Sequence, residues 1–210
     1  MDNKSVFSTL GASNHSKEER QSEDFYASDR RAATHIFNKC PQLLNCNSIV
    51  EPCAGDGTMA DTISSITSKN VDMFDLVSRR DDIKELNYFD AELSDKYDLI
   101  ITNPPYKKGS KSNPGLADMI VKMLNEVKAG GYVCLLLKTL HLESQERYNK
   151  IFSSAPPEWV YVYSPRISCY RNNDISLPQG AISYSWFIWH KQEDGTFSNE
   201  PPRLGWIEKL

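Results

Sequence analysis

The chain contains no apolar run near the length of a membrane span, and Met1-Asp2-Asn3-Lys4-Ser5 opens a polar stretch with no signal-peptide core. A cytoplasmic protein with no membrane partner is expected. Its five cysteines, at 40, 46, 53, 134 and 169, are odd in number and form no Cys-x-x-Cys pair, which speaks against a disulfide framework and a zinc knuckle. Four histidines, at 15, 35, 141 and 190, lack the spacing of metal ligands, so no metal is expected. Excess positive charge is also missing: the net charge is −4, unusual for a protein that grips a polyanion. No repeat or low-complexity tract appears, and Pro156-Pro157 and Pro201-Pro202 read as local punctuation.

What is present suits one α/β domain. The chain has 210 residues, 40% of them hydrophobic, enough for a single sizeable core. Residues 1–22 are polar and read as an arm that orders only on ligand binding, leaving 23–210 as the one domain. The spacing of Ala32, Ala33, Ile36 and Phe37 predicts a helix stopped near Pro41. Further helices are expected over 58–68, 116–128 and 142–153, and strands near 48–51, 71–75, 98–102, 132–137, 159–163 and 181–189. That alternation predicts a doubly wound, mostly parallel sheet. The aromatics of the last run, Trp186, Phe187 and Trp189, are expected in the core, as are the thiols of Cys53 and Cys134.

One apolar run, Asp98-Leu99-Ile100-Ile101-Thr102, leads straight into Asn103-Pro104-Pro105-Tyr106. Asn-Pro and Pro-Pro are common turn formers, but the end of a buried strand is where open α/β sheets place their ligand crevice. The pattern fits methyl transfer to a planar amine, whose lone pair is delocalised into a ring. The Asn103 side-chain oxygen and the Pro104 carbonyl can each accept one amino hydrogen, favouring a tetrahedral nitrogen as positive charge develops. Two prolines stiffen the loop and remove competing N–H donors. Tyr106 offers an aromatic face for a base lifted out of a duplex.

Upstream, Ser48-Ile49-Val50-Glu51-Pro52-Cys53-Ala54-Gly55-Asp56-Gly57-Thr58 runs from a strand through a small-residue turn into a helix. Gly55 and Gly57 let the backbone approach a ligand closely. Glu51 ends the strand with a carboxylate suited to an ammonium or a water-bridged contact. The third glycine of the dinucleotide fingerprint is absent, as is the Gly-Lys-Ser/Thr of a phosphate loop. Asp75 ends the following strand roughly twenty residues later, the spacing at which an acid meets ribose hydroxyls.

Taken together, Glu51 to Gly57, Asp75 and Asn103 to Tyr106, in that order, resemble the S-adenosylmethionine-dependent N6-adenine DNA methyltransferases, including small phage- and prophage-type members. The resemblance covers most of the chain. It implies a Rossmann-like class I methyltransferase fold, S-adenosylmethionine as cofactor, and DNA as partner of a monomer or homodimer. It assigns Glu51, Pro52, Cys53, Ala54, Gly55, Gly57 and Asp75 to the cofactor, and Asn103, Pro104, Pro105 and Tyr106 to catalysis. The family's N-terminal motif is similar to Glu23-Asp24-Phe25-Tyr26, placing Asp24, Phe25 and Tyr26 at the methionine end. For the cofactor adenine, spacing favours Asn87 and chemistry favours Asp90, with Tyr88 or Phe89 packed beside the ring; both pairs stay open.

Lys107, Lys108 and Lys111 follow the tetrapeptide in a Gly/Ser/Asn loop placed to grip phosphates, and Arg166 and Arg171 form a second cationic group. No separate target-recognition domain is expected. Base readout falls to residues 107–117, 164–180 and the tail from 191, so sequence specificity is low or confined to a short site. Adenine in RNA and a glutamine side-chain amide present the same planar amine, and a non-catalytic binding module is the remaining alternative.

Overall fold

The computed structural model describes residues 29–106, 109, 114–165, 167 and 182–208. The expected arm lies outside these residues, as do Asp24, Phe25, Tyr26, Lys107, Lys108, Lys111, Arg166 and Arg171.

Helix α1 spans Arg31–Lys39 and buries Ala32, Ala33, Ile36 and Phe37 on one stripe; the Asp29 carboxylate accepts the Arg31 N–H at its start. Strand β1 (Ile49–Glu51) leads through the glycine turn into α2 (Thr58–Thr67). Strands β2 (Val71–Asp75), β3 (Lys84–Glu85) and β4 (Leu99–Thr102) follow. Helix α3 (Leu116–Glu126) buries Leu116, Met119, Ile120, Met123 and Leu124. After Gly130, at φ +74°, the chain enters β5 (Tyr132–Lys138). The helix expected over 142–153 is broken into a 3-10 turn (Thr139–Leu142), the short α4 (Gln145–Arg147) and a π-helical turn (Tyr148–Phe152). Strands β6 (Trp159–Tyr163), β7 (Tyr184–His190) and β8 (Arg203–Ile207) complete the order.

The eight strands form one sheet in the order β3-β2-β1-β4-β5-β7-β6-β8. The first five in that order are parallel; β7 is antiparallel to both β5 and β6, and β8 runs parallel to β6. The sheet is therefore mostly parallel. Because successive side chains of a strand point to opposite faces, the continuous apolar runs feed two cores. Ile49, Leu99, Ile101, Cys134, Leu136, Trp186 and Ile188 join α1 and α2 in one. Val50, Ile100, Val133, Leu135, Phe187 and Trp189 join α3 in the other. Burial on both faces explains why these strands read as unbroken hydrophobic runs.

Strands β3 and β8 have no clear sequence signal. Both β3 residues are exposed, and β8 is an edge strand whose Leu204 and Trp206 face outward. Its Gly205 lies against the Tyr161 ring, which would stand 2.5 Å from an added Cβ. The tail from 191 is thus not wholly available for base readout, since 203–207 is paired with β6. Among the described residues, no helix is long and apolar enough to cross a membrane.

Trp186 is fully buried and donates its indole N–H to the Tyr163 hydroxyl at 3.1 Å. Trp186→Ala should lower the unfolding free energy by about 3–5 kcal/mol, read as a reduced urea midpoint at unchanged slope.

Candidate functional site

Parallel pairing puts the carboxyl ends of β1, β2, β4 and β5 on one edge of the sheet, so Glu51, Asp75, Asn103 and Lys138 end adjacent strands there. The connection from β1 runs outward to β2 and β3 and then returns to β4 on the other side of β1. A crevice opens where the order reverses, the usual ligand position in such sheets.

On the β1 and β2 side, Gly55 (φ +59°) and Gly57 (φ +79°) hold dihedrals that side chains rarely adopt. The Asp75 carboxylate accepts the Gly55 N–H at 2.8 Å and the Val77 N–H at 3.1 Å, and pairs with Arg79 at 3.3 Å. Asp75 therefore fixes the glycine turn, and a carboxylate with about four lone-pair sites keeps capacity for a ligand hydroxyl.

Gly57 also has a packing role. Its missing side chain makes room for the Arg80 guanidinium, which would stand 2.7 Å from an added Cβ. Arg80 donates to both Asp61 oxygens at 2.6 and 2.9 Å, to Asp82 at 2.6 and 3.0 Å, and to the Asp56 carbonyl at 3.3 Å. It ties the loop after β2 to the start of α2. Sequence reasoning missed it because the packing partner is distant in the chain.

Glu51 is 2% exposed, and its Oε2 has no hydrogen-bond partner among the described residues. Burial pushes its carboxyl well above the usual range, opposed by the Ala60 backbone N–H and reinforced by the charges of Asp56, Asp75 and Asp61. A buried carboxyl with one oxygen unpaired and acids around it is costly, and it suits a cation such as an amino-acid ammonium. The donors and acceptors here fit the methionine and ribose portions of S-adenosylmethionine. The Cys53 thiol, beside Asp75 and Glu51, is pushed up by burial and those charges, which keeps it inert. The Thr102 hydroxyl, at the end of β4, reaches the Cys53 carbonyl at 3.5 Å and joins the two halves.

Asn87 and Asp90 both lie on an exposed turn. The Asn87 Oδ1 accepts the Phe89 N–H at 3.1 Å, capping a 3-10 turn over Tyr88–Asp90, whereas Asp90 makes no side-chain hydrogen bond among the described residues. Tyr88 is a core residue: it is 3% exposed, stacks on Phe74 and donates its hydroxyl to Glu126 at 2.9 Å. Half-buried Phe89 remains the aromatic nearer the surface.

On the β4 and β5 side, Pro104 is buried, and Asn103, Pro105 and Tyr106 are half-buried. The Tyr106 hydroxyl lies 3.0 Å from Asn103 Oδ1 and 3.1 Å from the Leu136 carbonyl. Its ring stacks on His141, with centroids 5.3 Å apart and planes 13° apart, and Lys138 Nζ sits over it at 4.5 Å from the centroid. Burial, with Arg147 and Lys138 nearby, pushes the His141 imidazole down to about 4, so the ring is neutral at neutral pH. Neither His141 nor Lys138 stood out in the sequence; the available signal was their position just after, and at the end of, the strand beside β4. Leu140 and Leu142 flank His141 as exposed apolar side chains. Among the described residues, no group of three or more His, Cys, Asp or Glu is placed to hold a metal ion.

No protein-family model matches the chain, and no curated protein matches it by sequence. Solved structures share its fold. A putative class I S-adenosylmethionine-dependent methyltransferase from Listeria monocytogenes superposes with a TM-score of 0.59 at 14% identity, over 91% of this chain and 68% of that one. The M protein of the type I restriction enzyme EcoKI gives 0.62 at 14% identity, over 90% of this chain and 50% of that one. The type IIG restriction endonuclease BpuSI gives 0.57 at 12% identity, over 80% of this chain and 26% of that one. The chain thus spans half of the EcoKI subunit and about a quarter of BpuSI. Its fold is the Rossmann-like fold of class I methyltransferases.

Because the Glu51 carboxyl is raised above its ordinary 4.5 in the folded chain, its stability contribution is complete below that value and is lost as pH rises through the raised one. Glu51→Gln cannot ionise. In the ligand-free protein it should melt at a higher temperature than the parent at about pH 8, and the gap should close as pH falls toward the ordinary value, as followed by circular dichroism.

Proposed function

We propose that the chain transfers a methyl group from S-adenosylmethionine to the N6 amino group of adenine in DNA, with the base turned out of the duplex. The observation that carries this is the position of Asn103-Pro104-Pro105-Tyr106 immediately after β4, next in the sheet to β1 and its buried Glu51 carboxyl, whose Oε2 has no hydrogen-bond partner among the described residues. Acceptors for an amine and an acid for a cofactor thus end adjacent strands.

S-adenosylmethionine, when bound, supplies an electrophilic methyl group on a sulfonium. Glu51 would hold the ammonium of its methionine end, Asp75 the ribose hydroxyls, and Asp90 and Phe89 the adenine amino edge and ring. Asn103 Oδ1 and the Pro104 carbonyl accept the two hydrogens of the target amine, localising its lone pair. The Tyr106 hydroxyl has a second acceptor in the Leu136 carbonyl, so it releases Asn103 Oδ1 to the substrate without losing a hydrogen bond. No general base is required, because the nitrogen gains charge before it sheds a proton to solvent. Orientation supplies most of the rate, as in other reactions that hold two groups at attack distance.

DNA as the polymer is supported by the base-sized aromatic at Tyr106, by Lys107, Lys108 and Lys111 directly after it in sequence, and by the restriction enzymes among the fold's relatives. The net charge of −4 is the observation that favours another carrier of the same amine, RNA or a glutamine amide. Labelled S-adenosylmethionine offered with duplex DNA, RNA and protein should place the label in DNA as N6-methyladenine; label in protein alone overturns the choice of polymer.

Asn103→Ala should abolish turnover while the dissociation constant for S-adenosylmethionine, read by calorimetry, changes less than about twofold. Asp75→Ala should do the reverse first, weakening cofactor binding by about tenfold or more. Equal loss of binding and turnover in Asn103→Ala excludes the role given to Asn103.

A further inference from the structure

We propose that His141 is a positioning residue for the target ring, a fixed backing that sets the plane of Tyr106 for stacking a nucleobase. The inference rests on the methyl-transfer reading and narrows its substrate to an amine carried on an aromatic ring.

Among the described residues, His141 and Lys138 pack on the Tyr106 ring, and they differ in how firmly they are held. His141 lies parallel to Tyr106, on a turn pinned at several points. Thr139 begins that turn, with its N–H on the Ser183 carbonyl at 2.9 Å and its hydroxyl 2.7 Å from Ser185. Arg147 donates to the carbonyls of His141 at 2.8 Å, of Leu140 at 3.4 Å and of Glu143. The guanidinium thereby holds the His141 backbone from below. Lys138, in contrast, is a long side chain whose ammonium forms no ion pair among the described residues. Of the two, the ammonium is the more easily displaced by an arriving ring and the imidazole the more firmly held.

The chemistry of His141 agrees with this role. Its Nδ1 is buried with no hydrogen-bond partner among the described residues, so stacking on Tyr106 is the contact shown to orient the ring. A neutral imidazole can lie flat on a phenol without burying a charge. With the Tyr106 hydroxyl able to rest on the Leu136 carbonyl and its plane fixed by His141, the stacking surface is set before substrate arrives. Such preorganisation benefits a substrate with a π-face. A glutamine amide has no ring to stack and draws little from it.

The test uses the full chain with cofactor and duplex DNA. His141→Ala should raise KM for DNA about tenfold, the scale of one base-stacking contact, with the dissociation constant for S-adenosylmethionine unchanged. His141→Phe, which keeps a flat ring and loses both ring nitrogens, should restore KM to within about twofold. A DNA carrying 2-aminopurine at the methylated position should be quenched on binding by the parent and by His141→Phe, and brighter with His141→Ala. Unchanged KM in His141→Ala, or equal damage in both variants, overturns the inference while methylation of DNA by the parent leaves the function standing. A parent that methylates only a glutamine amide overturns it too, and a parent that transfers no methyl group to any acceptor removes the function and the inference together. Melting curves of both variants report whether each folds.

Discussion

Strand β1 has parallel neighbours on both sides, and everything at the site depends on that registry. Ile49 is paired with Val71 of β2 and with Leu99 of β4, so the carboxyl ends of three strands are level. A one-residue slip would exchange the two faces of a strand and turn its core side chains to the wrong layer. The apolar load on both faces of β1, β4 and β5 makes such a slip costly. The same packing that stabilises the sheet therefore sets Glu51, Asp75 and Asn103 relative to one another.

Within that frame, polar groups fall into two kinds. Some are satisfied internally: Asp75 closes the glycine turn, Arg80 clamps the start of α2, and Tyr88 joins Glu126 and Lys122 under α3. Others are left strained or incomplete, above all the Glu51 carboxyl. Stability is spent at this point, a common balance at functional sites. The contrast between the closed Arg80 cluster and the open Glu51 group separates scaffold from site more sharply than the motif boundaries do.

Much of this was legible in the sequence because its physics is local. Leu99-Ile100-Ile101 reads as a buried strand from its composition alone, and Asn103-Pro104-Pro105-Tyr106 carries its own stiffness and acceptors. The helical stripe of α1 and the aromatic run of β7 are equally self-contained. What escaped depended on neighbours far along the chain. That Gly57 also makes room for Arg80 could not be read from its spacing. Tyr88 reads as a cofactor-facing aromatic until Glu126 and Phe74 draw it into the core. His141 carries no periodic or motif signal, and β8 is too exposed to show a strand pattern. The helix expected over 142–153 breaks because Ser144 caps a new turn and Arg147 turns back to satisfy the carbonyls before it.

The pairing of β1 with β4 also governs how the protein comes into being. Ser48 and Asp98, 50 positions apart, meet through the Asp98 carboxylate and backbone at the start of those two strands. Contacts of such sequence separation are slow to form, since a long loop must be closed before any of them rewards the closure. Until then Glu51, Asp75 and the Asn-Pro-Pro-Tyr loop belong to unconnected parts of the chain, and only closure of the β1–β4 pair brings them to one edge of the sheet.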